Sequence, residues 1–93
     1  MQLVSVDVSE LAPPEPMTVI LTALASLALG HCLLVTHRRQ PFPLYEKLIQ
    51  AGWAYHCQVH DDDHISLFIY RHIEQQLFEQ HFDGQTFQTS TPK

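Results

Sequence analysis

Cysteine, glycine and positive charge are all scarce in this chain of 93 residues. Two cysteines cannot build a disulfide framework. Cys32 and Cys57 stand 25 positions apart with no CxxC, which excludes the common structural zinc spacing. Three glycines leave no room for a GxGxxG phosphate loop, and neither a Ser-His-Asp spacing nor a paired-carboxylate motif is legible. Five basic residues against ten acidic ones give a formal charge of −5, and there is no basic cluster. That balance argues against binding a nucleic-acid backbone. Charged residues make up only 16% of the chain while 45% is hydrophobic, which rules out wholesale disorder. Residues 1–16 lack Lys and Arg, so no secretory signal peptide is expected, and a reducing, cytoplasmic setting fits the low cysteine count.

Histidine is the residue in excess. The seven histidines outnumber Lys and Arg together, and full protonation would carry the formal charge from −5 to +2. One uncharged run, residues 17–36, is long enough to be tested as a membrane span. It contains Thr18, Thr22, Ser26, Gly30, His31 and Thr36, and its periodicity changes at Gly30, so it reads as a helix followed by a strand. No membrane association is expected.

Val4, Val6 and Val8 alternate with Ser5 and Asp7, the pattern of a half-buried strand over residues 2–8. Pro13, Pro14 and Pro16 stop it, because proline cannot donate to a ladder. Pro16 suits the first turn of a helix and Glu15 complements its positive terminus. That helix is expected over 16–29, with Val19 or Ile20, Ala23, Leu24, Leu27 and Ala28 on its core stripe and Gly30 as its stop. Residues 31–37 are apolar on both faces, as an interior strand would be. Pro43, Leu44, Tyr45 and Leu48 predict a second helix ending before Gly52. Residues 53–60 and 65–72 read as two strands joined by the Asp61-Asp62-Asp63 turn, with Trp53 and Tyr55 meeting Ile65, Leu67 or Ile69 across the hairpin. The order is β-α-β-α-β-β. It predicts an α+β, two-layer α/β sandwich with a mixed four-stranded sheet and two helices on one face. Residues 1–72 form this domain. Residues 73–93 are an extension, a short helix with Ile73, Leu77, Phe78, His81 and Phe82 on one face, then the Asp83-Gly84 turn and a frayed tail.

The run Asp7-Val8-Ser9-Glu10-Leu11-Ala12-Pro13-Pro14-Glu15-Pro16, with Gly30 and Pro41 at later boundaries, resembles the TusA/SirA-like sulfur-carrier superfamily. With His37-Arg38-Arg39 and Pro41-Phe42-Pro43-Leu44-Tyr45, it resembles more closely an uncharacterised TusA-like bacterial branch, some of whose members are fused to hemerythrin-like or cupin-like domains. The resemblance covers residues 2–72. It implies a protein-contact surface at the first helix start, on Pro14, Glu15 and Pro16. It also exposes a departure: the position of the family's persulfide-bearing cysteine is Pro13, which has no nucleophile. A cysteine there would have its pKa lowered by the helix terminus. Sulfur relay at that position is chemically impossible, and no enzymatic activity carries over.

Three groups of residues remain as candidate sites. Arg38 and Arg39 are the only adjacent cations. They precede a helix start, where free backbone N–H groups are expected, so with His37, Phe42 and Tyr45 they make the best candidate for binding a small anion or a partner protein. The plainer reading is a solvated turn in which the arginines pair with Glu46 or another acid. His60-Asp61-Asp62-Asp63-His64 holds the densest metal-capable set, His60 and His64 above all, against the plainer reading of a solvated acidic turn. Cys32 and Cys57 sit in strands as small hydrophobes, with a sulfur-carrying role as the alternative. No cofactor is implied. The function expected is that of a small non-enzymatic TusA-like accessory module, with a sulfur carrier or metal-binding protein as the alternative.

Overall fold

The computed structural model describes residues 1–12 and 14–81. The expectations placed on Pro13 and on residues 82–93, including Phe82, the Asp83-Gly84 turn and the frayed tail, lie outside the described residues. Along the chain come β1 (Gln2–Asp7), α1 (Glu15–Ala25), β2 (His31–His37), α2 (Phe42–Gln50), β3 (Trp53–Asp61) and β4 (His64–Arg71). A 3₁₀ turn (His72–Glu74) leads into α3 (Gln75–His81).

The strands form one mixed sheet in the order β1-β2-β4-β3. β1 runs parallel to β2, while β4 is antiparallel to both β2 and β3. Parallel neighbours need a crossover, which α1 supplies. The two interior strands are the ones apolar on both faces. Leu33 and Val35 on β2, and Ile65, Leu67 and Ile69 on β4, face α1 and α2, meeting Ile20, Leu24, Leu44, Tyr45 and Leu48 in the main core. The α+β architecture with two helices on one face is as the pattern predicts.

The other face carries a second core. Cys32, Phe68 and Tyr70 point away from α1 and α2 and are covered by Phe78 from α3. The tail helix therefore closes the outer side of the sheet. Its ring stacks on Tyr70 at 4.0 Å with planes 9° apart.

Helix α1 is shorter than the residue 16–29 reading. Ser26 and Leu27 donate to the carbonyls of Ala23 and Leu24, three residues back, which tightens and ends the helix. The carbonyls of Leu27 and Ala28 then accept from the Arg71 guanidinium, at 3.0 Å for Ala28, while Arg71 lies over the Trp53 ring. Gly30, at φ +80°, shapes the turn before β2, and its N–H donates to the Glu74 carboxylate at 2.9 Å. Beyond the helix end, a residue from the far end of the sheet holds the two carbonyls of this turn, a long-range contact that no local pattern carries. At α2 the expectation holds, with Ala51 as cap and Gly52 at φ +90° behind it.

Candidate functional site

Because β1 and β2 are parallel neighbours, their carboxyl ends lie side by side. After β1 the chain passes through Leu11 and Ala12 into α1; after β2 it passes through Arg38 and Arg39 towards α2. Between these connections lies an open cleft of about 460 Å³, lined by Leu11, Ala12, Pro16, His37, Arg38 and Arg39. Among the described residues no acid lines it.

Both connections are held locally. Asp7 Oδ1 accepts the Ser9 hydroxyl at 2.6 Å and the Ser9 N–H at 2.9 Å. These two bonds, aided by the nearby charge of His64, hold the Asp7 carboxyl below its ordinary pKa. On the other side, His37 Nδ1 accepts the N–H of Arg38 at 2.8 Å and that of Arg39 at 3.3 Å. Burial pushes the His37 pKa down. Neither arginine guanidinium has an ion-pair or hydrogen-bond partner among the described residues, so the expected pairing with Glu46 does not form.

The site residues read from the sequence divide here. Pro16, His37, Arg38 and Arg39 come together in the cleft. Pro14 and Glu15 are exposed at the start of α1 but do not line it. Phe42 is 65% exposed, whereas Tyr45 is only 8% exposed. The two rings meet edge to face at 5.7 Å, away from the cleft lining. Tyr45 is a core residue. It stacks on Tyr55 at 4.0 Å, and its hydroxyl donates to Gln40 Oε1 at 3.0 Å and adjoins the Cys57 thiol.

The expected row of free N–H groups at the start of α2 is also corrected. Phe42 N–H donates to Gln40 carbonyl, Leu44 N–H donates to Pro41 carbonyl, and Pro43 has no N–H. Prolines on both sides of Phe42 start the helix by using up its donors locally. The cations are available to a ligand; the helix terminus is not.

Arg38 also borders a second cleft of about 490 Å³, with Ser9, Glu10, Thr36, Asp63 and His64. Leu11, Ala12 and this second lining escaped the sequence reading, since their proximity depends on which strands pair. At its rim the hairpin does bring His60 and His64 together, with ring centroids 4.6 Å apart, and His60 Nε2 is 2.7 Å from Ser66 Oγ. Among the described residues no group of three or more His, Cys, Asp or Glu side chains is placed to hold a metal ion. Asp61 instead caps its own turn by accepting the Asp63 N–H at 2.8 Å.

The cysteines lie on opposite faces of the sheet and on strands separated by β4. Cys32 is fully buried, and desolvation pushes its thiol up to about 12. Cys57 is half-buried beside Tyr45, and its thiol pKa is likewise raised by burial. No helix among the described residues is long and apolar enough to cross a membrane.

A family model described as Uncharacterized conserved protein (DUF2249) matches residues 5–71, from within β1 to the last residue of β4. No curated protein and no solved structure matches the chain.

Proposed function

The chain belongs to the DUF2249 family of uncharacterized conserved proteins, and from the lining of its cleft we propose that it is a small, non-enzymatic, cytoplasmic accessory module on a TusA-like scaffold that binds a partner protein or a small anion. The observation that supports this reading is the pair of guanidiniums, Arg38 and Arg39, without partners among the described residues, in a cleft that no described acid lines, at the carboxyl ends of two parallel strands. Hydrogen bonds from guanidinium to an anion are charge-assisted and about twice as strong as neutral ones. Leu11, Ala12 and Pro16 offer an apolar wall on which the rest of a ligand can rest. A net charge of −5 with only this one basic pair speaks against nucleic acid as the partner.

A sulfur-carrying role finds less support. Pro13 has no nucleophile, and attack requires a thiolate, which burial disfavours at Cys32 and Cys57. A metal-binding role would rest on His60 and His64 alone.

Amide NMR spectra recorded during titration with inorganic phosphate, and separately with a glutamate-rich peptide, test the reading. Shifts should gather at Leu11, Ala12 and residues 37–39 and vanish in the R38A/R39A double variant. Spectra unmoved by millimolar amounts of either probe would refute it.

A further inference from the structure

His37 takes part in the cleft through its hydrogen bonds as well as its place in the wall. To accept the N–H groups of Arg38 and Arg39, Nδ1 must present a lone pair, so the ring is neutral and carries its proton on Nε2. The two N–H groups belong to the residues whose guanidiniums line the cleft. A proton added at Nδ1 turns that acceptor into a donor, and both bonds are lost together. The released N–H groups, which are exposed, are then open to water or to an oxygen of a ligand. The same proton places a positive charge on the cleft wall.

We propose that the cleft is a proton-coupled oxyanion site, in which binding a tetrahedral oxyanion at Arg38 and Arg39 is accompanied by uptake of a proton on His37 Nδ1. This rests on the cleft being an anion site and adds what regulates it. Two guanidiniums and two backbone N–H groups suit a ligand with several acceptor oxygens, such as sulfate or a phosphate group, better than a lone carboxylate. The balance is simple: a solvent proton bonds to Nδ1, two N–H···N bonds break, and two N–H···O bonds to the ligand replace them. No covalent bond of the ligand changes.

The surroundings of His37 favour the neutral ring until an anion arrives. Arg38 and Arg39 flank it with positive charge. Leu11, Ala12 and Pro16, across the cleft, carry none, and neither does Ile65, its partner on β4. The other charged groups nearby, Glu10, Asp63 and His64, lie beyond Arg38 in the second cleft. Burial lowers the His37 pKa and so favours the neutral ring. Coupling is reciprocal, so the factor by which a proton tightens the anion is the factor by which the anion tightens the proton.

Sulfate is the probe, because it does not itself titrate between pH 5.5 and 7.5. Calorimetric titrations in buffers of different ionisation enthalpy read affinity and proton uptake together, and imidazole ¹⁵N shifts follow the His37 ring. We expect sulfate affinity to rise about tenfold from pH 7.5 to 5.5, within the usual range of such couplings, with net proton uptake and loss of the Nε2-protonated neutral signature of His37. H37N keeps an acceptor for the two N–H groups but cannot titrate, so its sulfate affinity should be flat with pH; H64N should keep the wild-type dependence. Sulfate binding that needs Arg38 and Arg39 yet is flat with pH and free of proton uptake overturns the coupling and leaves the anion site standing. A pH dependence kept in H37N and lost in H64N also overturns it. Absence of sulfate binding at every pH removes both.

Discussion

Replacing Phe78 with alanine asks whether α3 is part of the fold or an appendage to it. Phe78 is 4% exposed, stacks on Tyr70 and meets Phe68 edge to face at 6.1 Å. A helix of seven residues cannot hold itself together in water, so α3 depends on this docking. Burying a Phe side chain is worth about 1.5–3 kcal/mol, and truncation in a core costs about 3–5 kcal/mol because the gap does not fully close. α3 covers the sheet from one side only and can settle into the gap, so the lower end applies, a loss of about 3 kcal/mol. Total stability at roughly 0.05–0.15 kcal/mol per residue makes that a large share. In urea, with a slope of about 1–3 kcal/mol per molar, the unfolding midpoint should fall by about 1–3 M. Cys32 lies in the same cluster and should become reactive toward a thiol reagent in the folded variant. The comparison is Leu77→Ala on the same helix, 39% exposed, which should cost under about 1 kcal/mol. If Phe78→Ala proves no more damaging than Leu77→Ala, and Cys32 stays protected, the outer face of the sheet does not need its cover and the reasoning fails.

Three further outcomes are expected. In the wild-type protein, alkylation should modify Cys57 before Cys32, both more slowly than free cysteine, and oxidants should not join them without unfolding because they sit on opposite faces; mass spectrometry over time would show the order. His37 and His56 both have pKa values lowered by burial, so below about pH 6.5 the unfolded chain binds more protons and stability falls with pH until the folded-state values are passed; melting temperatures that hold steady from pH 7.5 to 5 would contradict this. Arg71→Ala should cost about 2 kcal/mol through the carbonyls of Leu27 and Ala28 and the Trp53 ring, and Arg71→Lys should recover little because an ammonium lacks the guanidinium fork, as thermal unfolding of the two variants would show.

Local chemistry was enough for the order of elements. Alternation marked β1, β3 and β4. Apolar residues on both faces marked β2 as interior, prolines marked both helix starts, and Gly52 marked the end of α2. Those signals are readable because they are set by neighbours within a few residues. The same holds for the hairpin that joins His60 to His64.

Strand pairing settled the rest. Placing β4 between β2 and β3 separated Cys32 from Cys57, and making β1 and β2 parallel neighbours brought Leu11 and Ala12 to Arg38 and Arg39. The turn after α1 is held by Arg71, 43 residues beyond Ala28, and the outer core is completed by Phe78. Tyr45 went inward because the α2 stripe met Tyr55. Each of these depends on partners far along the chain, and periodicity reports which face of an element is apolar but not what that face will meet. From the sequence alone came the parts, the α+β class and the cationic pair. The tertiary structure decided that the pair faces a cleft that no described acid lines and that His37 holds the two N–H groups beside it.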